Sequence, residues 1–377
     1  MMKVYKSLSE LTIVIPTYNR QSFAMRNMDY WSGRPAKVLV IDGSQQPIPA
    51  ENLCSLSKNI TYIHLDLPFN ERILFATERL TTKFAMLCCD DEFQVPSGIV
   101  KCIDFLEKNQ DYSQCCGRVI RFLPRKYYIR LDPDKLTHEH HFVNQKHWEE
   151  RVAYHMTPIV TSTIYGVHRV DSFRHCVKYS MNYEYGNPYP QETLFEFAAA
   201  AFGKSKVISS VTWLRSSECD PVITKGWNRK ESISDWYDNR ENEKHSSALQ
   251  HNAEESVLSL GYNSNSVHVR AVVREILSRR IDQDRKAVQI IRSRTAFELL
   301  ARWLVHQLRQ AKRAVYDRMI SFTPGIAKIF GLSFYCVNRE YSYTQLIETA
   351  GLHVDDLQEL SELWSVVFDF HKNSSRF

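Results

Sequence analysis

The sequence predicts an α/β protein: a Rossmann-like, mixed and mainly parallel sheet flanked by helices, followed by a mostly helical C-terminal extension. Three observations lead there. Strand and helix signals alternate through the first 120 residues, as they do in βαβ units. Three short apolar runs, Leu11–Pro16, Lys37–Ile41 and Phe84–Cys89, each break into polar residues. Open α/β sheets place ligands at such strand ends. Beyond residue 267 the apolar spacing is helical.

The elements follow in order. Strand 11–16 leads through a polar turn into a helix from Ser22 to about Trp31. Strand 37–41 ends in Asp42-Gly43-Ser44, and Ile60–His64 reads as another strand. A helix from about Asn70 to Thr81 precedes strand 84–89, which runs into Asp90-Asp91-Glu92. Pro96 opens a helix to Lys108 with Ile99, Ile103 and Leu106 on one stripe. Residues 118–165 are expected to be irregular, with one or two strands and a further strand over Thr157–Tyr165. A helix over Gln191–Phe202 is expected to stop at Gly203 as its C′ residue. Strand Lys206–Leu214 completes a domain spanning 1–215. Residues 216–265 read as a polar loop or lid, and 266–377 as a helical region interrupted near 282–285 and at Pro324-Gly325.

Composition narrows the class. The chain has 377 residues, 44% hydrophobic and 12% aromatic, enough for a large core. No apolar run reaches the roughly 18 residues that span a bilayer, and the start lacks a signal-like apolar segment. Nine cysteines include the adjacent pairs Cys88-Cys89 and Cys115-Cys116, with no Cys-x-x-Cys. Reduced, buried thiols in a cytoplasmic protein are the simplest expectation. No Walker A, Gly-x-Gly-x-x-Gly, Gly-x-Ser-x-Gly or His-Glu-x-x-His pattern occurs, which removes several enzyme classes.

The strand ends carry the candidate chemistry. Asp90, Asp91 and Glu92 form a carboxylate cluster suited to a hard divalent cation, Mg²⁺ or Mn²⁺, beside phosphates. An acidic capping turn is the alternative. Asp42 ends the second strand, where an Asp-Gly-Ser turn is also favoured on its own account. Arg72 and Arg79 precede the acidic cluster and are within reach of phosphates, if they are not solvated helix arginines. Arg215 ends the last strand and suits a pyrophosphate, an acidic acceptor or a surface ion pair. His138-Glu-His-His141 reads as a solvated loop.

The Ile-Pro-Thr-Tyr-Asn-Arg opening, the strand ending Ile-Asp-Gly-Ser and the Asp-Asp-Glu cluster together resemble the family-2 glycosyltransferases of the GT-A fold, over roughly residues 10–215. The resemblance implies nucleotide binding by Pro16, Thr17, Tyr18, Arg20, Asp42, Arg72 and Asp90. It makes Asp91, five residues before Pro96, the main metal ligand. Cys89 stands where the family's Asp-x-Asp pattern has its first acid, so Glu92 or a water is expected as the second ligand. It also implies a base at the start of a helix about a hundred residues later, where Gln191-Glu192 stands in place of a Glu-Asp-like pair. Glu192 is the candidate, with Glu196 one turn on as competitor; an acid there also complements the helix dipole. The expected reaction is inverting transfer from a nucleotide-sugar donor to a glycan or lipid-linked acceptor, in cell-surface polysaccharide synthesis. Two alternatives are a sugar nucleotidyltransferase, whose Gly-rich loop is missing, and a catalytically inactive scaffold of the same fold.

Residues 267–320 hold 13 Lys/Arg against 5 Asp/Glu, a local charge of +8 in a chain of formal charge +5. Phe297, Leu300, Ala301, Leu304, Leu308, Ala311, Val315 and Met319 define an apolar face, and Arg302, Arg309, Lys312 and Arg313 adjoin it. Packing on the catalytic domain or a subunit interface is expected slightly ahead of peripheral contact with an anionic membrane. Nucleic acid is not expected, since no binding module accompanies the charge.

Overall fold

A computed structural model describes residues 6–133, 141–157, 163–218, 231–262, 265–293, 296–336, 340–350, 352 and 354–373. Its centre is a parallel block. Strand β1 (Leu11–Thr17) lies between β2 (Lys37–Asp42) and β4 (Phe84–Leu87), and β3 (Ile60–His64) pairs with β2 at the edge. All four are parallel, so their C-terminal ends meet on one side of the sheet. The β-branched run Ile13-Val14-Ile15 is fully buried, with helices on both faces.

The other side is antiparallel. Two-residue β5 (Phe93–Gln94) follows the acidic loop, and β6 (Tyr112–Pro124) joins β4 through short β9 (Val167–Arg169). Strand β7 (Tyr128–Pro133) pairs with β6, while β8 (Phe142–Val143) and β5 pair with β10 (Lys204–Ser216), itself parallel to β6. The stretch expected to be irregular, with one or two strands, holds the end of β6 together with β7 and β8. Most of the strand expected over Thr157–Tyr165 falls on 158–162, outside the described residues; Ile164 and Tyr165 form a turn.

Helices α1 (Gln21–Trp31), α3 (Phe69–Thr77) and α4 (Pro96–Lys108) follow the expected spacing, although α3 stops four residues short of Thr81, while the short α2 (Ala50–Leu53) was not read from the sequence. Helix α5 (Trp148–Met156) was not read from the sequence. It packs on an alanine-rich stretch of α7 (Pro188–Phe202), on which α6 (Val170–Met181) also packs. Gly203 is extended rather than left-handed at the end of α7. Its hydrogen side chain is needed because a Cβ there would lie 2.7 Å from Ser113 Oγ.

Two expectations are corrected beyond β10. Within the supposed loop of 216–265, residues 219–230 lie outside the described set. The rest carries α8 (Ile233–Asp238) and α9 (Glu243–Leu258), and α9 packs on α6 and α7. Polar residues cover its outer face, while Leu249, Ala253 and Val257 recur at helical spacing and are buried. Helix α10 (Ser266–Arg292) runs unbroken through 282–285, where Arg285 pairs with Asp238 and Asp282. The break comes instead before α11 (Ala296–Phe322).

After α12 (Pro324–Ile329), β11 (Phe334–Cys336) adds to β7 and carries the sheet on to β12 (Tyr341–Ser342). Helix α13 (Thr344–Ala350) then leads to α14 (Val354–Asn373). Leu360, Leu363, Trp364, Val367 and Phe368 of α14 belong to the same core cluster as β1 and α4. Helix α14 is thus part of the main domain's core.

Candidate functional site

The three expected strand ends converge. At the end of β1, Thr17 Oγ1 donates to Asp90 Oδ2 at 2.8 Å. Asn19 takes a positive φ of 55°, a conformation asparagine tolerates better than most residues. Its N–H donates to Ser44 Oγ at 2.8 Å, joining the first loop to the second. The turn aims Arg20 at the third loop, where one guanidinium nitrogen, Nη2, meets Asp90 Oδ1 at 3.2 Å and Asp91 Oδ2. Two neighbouring carboxylates therefore present oxygens to one cationic point.

The acidic loop is held from below by α1. Asn27 Nδ2 donates to the carbonyls of Asp90 at 2.7 Å and Glu92 at 2.9 Å. Arg26 Nη2 donates to the Asp91 carbonyl at 2.8 Å, and its guanidinium forms a two-pronged pair with Glu218 at 2.7 and 2.8 Å. Such planar pairing fixes orientation as well as charge. The rings of Phe23, Phe93 and Phe370 surround the same guanidinium at 4.7–4.8 Å. His371, in the last turn of α14, bonds Glu218 from the other side. Glu218 is buried, which alone would raise its pKa, but His371 and Arg26 bring it down to about 2.

Burial acts differently within the acidic cluster. It pushes Asp90 up to about 6, against the opposing pull of Arg20. It pushes Glu92 up to about 8, with Asp91 adding to the effect. Glu92 Oε2 accepts from Trp213 Nε1 at 2.6 Å, so it turns inward rather than joining Asp91 at the Arg20 point. Among the described residues, no group of three or more His, Cys, Asp or Glu is arranged around a metal position. The donor set that fits a Mg²⁺ or Mn²⁺ is therefore the Asp90–Asp91 pair. That is sufficient for an ion completing its shell with phosphate oxygens and water.

Asp42 and Arg72 have internal tasks. Asp42 is buried and accepts from Ser44 N–H and Oγ, Gln21 Nε2 and Tyr62 OH, at 2.6–2.9 Å. These bonds outweigh its burial and hold its pKa below the usual carboxylate range. They fill the four positions a carboxylate offers. Arg72 donates to the carbonyls of Thr17, Ile41 and Leu67, at 2.8–3.1 Å. Gly43 leaves room for it, since a Cβ there would lie 2.5 Å from Arg72 Nε. Both residues shape the strand ends. Arg79 folds over Phe75 and donates to that residue's carbonyl. Tyr18 is exposed at the rim, with Pro16 half-buried beneath the same turn.

The helix start expected to hold the base separates three side chains. Gln191 is buried and donates to Asn70 Oδ1 at 2.5 Å, tying α7 to α3. Glu196 is buried too: it accepts from Thr163 N–H at 2.7 Å and from His155 Nε2 at 2.8 Å. His155 in turn contacts His141 at 3.0 Å, which ends the His138–His141 motif; His138–His140 lie outside the described residues. Glu196 thus anchors the 163–164 turn. Glu192, on the next face of the helix, is exposed. Cys89 and burial push the Tyr165 hydroxyl pKa up, with the charges of Glu92 and Glu192 adding to it. Cys89 Sγ donates to Tyr165 OH at 3.4 Å, and Tyr165 lies on Trp213 with ring centroids 4.5 Å apart. Arg215 flanks Trp213 and offsets part of the rise that burial imposes on the pKa of Glu92. Tyr165, Trp213 and Arg215 therefore form a wall beside the acidic loop, with Glu192 within electrostatic range of Tyr165.

Sequence reasoning missed Arg26, Asn27, Tyr165, Trp213 and Glu218. Arg26 and Asn27 sit on a helix whose existence was legible, but nothing in their spacing separates a buried polar clamp from a solvated face.

No family model matches the chain, and no curated protein matches it. Among solved structures it is similar to S. aureus TarS 1-349, with a TM-score of 0.46 and 12% identity over 73% of each chain. It is also similar to S. aureus TarS 1-349 in complex with UDP-GlcNAc, with a TM-score of 0.49 and 14% identity, over 73% of this chain and 74% of that one. A match to S. aureus TarS covers 74% of this chain and 44% of that one, at 13% identity and a TM-score of 0.46. At such identities, activity has to be argued from this chain's own residues.

Proposed function

We propose that the chain is an inverting glycosyltransferase that moves a sugar from a nucleotide-sugar donor to a hydroxyl of a glycan or lipid-linked glycan, in cell-surface polysaccharide synthesis. The observation that carries this reading is the meeting of Asp90 and Asp91 oxygens at one cationic point, on the ligand side of a parallel sheet, with Glu192 exposed at the start of α7 and its charge acting on Tyr165.

The donor's nucleoside lies against the 16–20 turn, whose shape Asp42 and Arg72 maintain. Asp91, with Asp90, would hold a Mg²⁺ or Mn²⁺. When bound, that ion neutralises charge developing on the diphosphate. Arg20 then moves from the two carboxylates to the diphosphate oxygens, and Arg215 adds positive charge from the wall. The acceptor oxygen bonds to the anomeric carbon as the carbon–oxygen bond to the diphosphate breaks. The hydroxyl proton passes to Glu192, and the nucleoside diphosphate leaves with the bonding pair. A single displacement inverts the anomeric centre. Glu196 has no free carboxylate oxygen to serve as base without dismantling the 163–164 turn.

Calorimetric titration of UDP, GDP and CDP, with Mn²⁺ and with chelator, tests the donor site. Metal-dependent binding of one nucleotide, lost in Asp91→Ala, is expected. No binding by folded protein would favour a scaffold of the same fold. Glu192→Gln should lower turnover by about 10²–10⁴-fold while nucleotide affinity holds. Retained turnover would remove Glu192 as base.

A further inference from the structure

The apolar face of α11 is not packed on the catalytic domain, which leaves a subunit interface or an anionic membrane of the expected partners. Leu300, Leu304, Leu308 and Val315 share one side of the helix, and each is exposed, Leu308 at 69%. Phe297, Ala301 and Arg302 of the expected faces lie outside the side chains described. The exposed face continues through Phe322, at 82%, into α12, where Ile329 is 82% and Phe330 62% exposed. Soluble chains rarely leave so long a contiguous apolar strip in water. Among the described residues, no helix is long and apolar enough to cross a membrane.

The side of α11 adjoining this face is cationic. Arg309, Lys312 and Arg313 rim an open cavity of about 210 Å³ against Arg130 and the β7–β11 edge. Among the described residues, none of the three makes an ion pair. A helix with Leu, Trp and Phe on one face and Arg and Lys on the other lies in a lipid–water interface, its apolar side chains in the acyl boundary and its cations among headgroups.

We infer that the α11–α12 face seats this protein on an anionic phospholipid surface. Charge decides the occupant. A second copy placed on this face would bring two segments of local charge +8 together, whereas acidic headgroups neutralise them. Nucleic acid would satisfy the cations and leave the apolar strip in water.

Flotation of the full chain with phosphatidylcholine vesicles, and with vesicles containing one-third phosphatidylglycerol, tests this. Binding is expected only to the acidic vesicles, and it should weaken at high salt. Leu304→Ser with Leu308→Ser should weaken it by at least about tenfold. Arg309→Gln, Lys312→Gln and Arg313→Gln should each cost about fivefold. All five positions are exposed, so unchanged circular dichroism and thermal midpoints are expected of each variant. Failure of the folded chain to float, or equal flotation with both vesicle types, would overturn the inference. So would a lipid-free dimer that Leu308→Ser disperses, since it would assign the face to a second copy. None of these readouts depends on nucleotide binding, so this inference and the donor site stand or fall separately.

Discussion

Helices α11 and α14 are both amphipathic and both come from the C-terminal third of the chain, yet their apolar faces meet opposite fates. In α14, Leu360, Leu363, Trp364, Val367 and Phe368 sink into the core shared with β1 and α4. Glu359 accepts hydrogen bonds from Ser97 N–H and Oγ in the first turn of α4, a favourable place for a carboxylate. Phe370 and His371 reach on to Arg26 and Glu218 beneath the acidic loop. In α11 the equivalent stripe faces water, and the helix touches the body mainly at its far end, where Ile320 is buried. An apolar stripe shows that a helix has a partner. It does not show whether that partner is the protein's own core.

The contrast can be pressed at several points. Trp364 is fully buried, so Trp364→Ala should cost about 3–5 kcal/mol of stability, read by chemical denaturation. A smaller loss would mean that α14 is only loosely docked. Arg26→Ala leaves the Glu218 carboxylate in its buried site with one partner fewer, and a loss approaching 3 kcal/mol is expected, together with weaker nucleotide binding as the Asp91 carbonyl is released.

The same clamp predicts a pH dependence. The pKa of Glu218 falls from 4.5 to about 2 on folding, so its stabilisation is complete above about pH 5 and is lost as pH drops toward 2. Between pH 5 and pH 3 this amounts to about 2 kcal/mol. Glu218→Gln should flatten that part of the profile, and an unchanged slope would break the assignment. At the other extreme, Leu308→Ala on α11 should change stability by less than about 0.5 kcal/mol. A loss of 2 kcal/mol there would show that the face is covered in solution.

The site divides in a similar way. The opening motif, the Asp-Gly-Ser turn and the acidic triplet were legible because each lies at the end of a short apolar run, and a parallel sheet gathers such ends on one side. What each side chain does there was less legible. Asp42 and Arg72 resemble ligand contacts in sequence, but in the fold they are filled by internal partners. Glu192 and Glu196 differ by one turn of α7. One is exposed and the other is closed in by Thr163 and His155, because a 3.6-residue period turns position 196 slightly toward the core, where α5 happens to lie.

By itself the sequence determined the parallel strands, their order of appearance, helices α1, α3 and α4 and the loops that carry the acids. These follow from local periodicity and turn chemistry, which act over a few residues. Only the tertiary structure decided that α14 belongs to the core and α11 does not, that Glu218 clamps Arg26, and that Trp213 draws Glu92 away from Asp91. Those outcomes depend on contacts between residues more than a hundred positions apart. In such contacts burial sets the worth of every charge and hydrogen bond, and no local pattern encodes which distant group will be there.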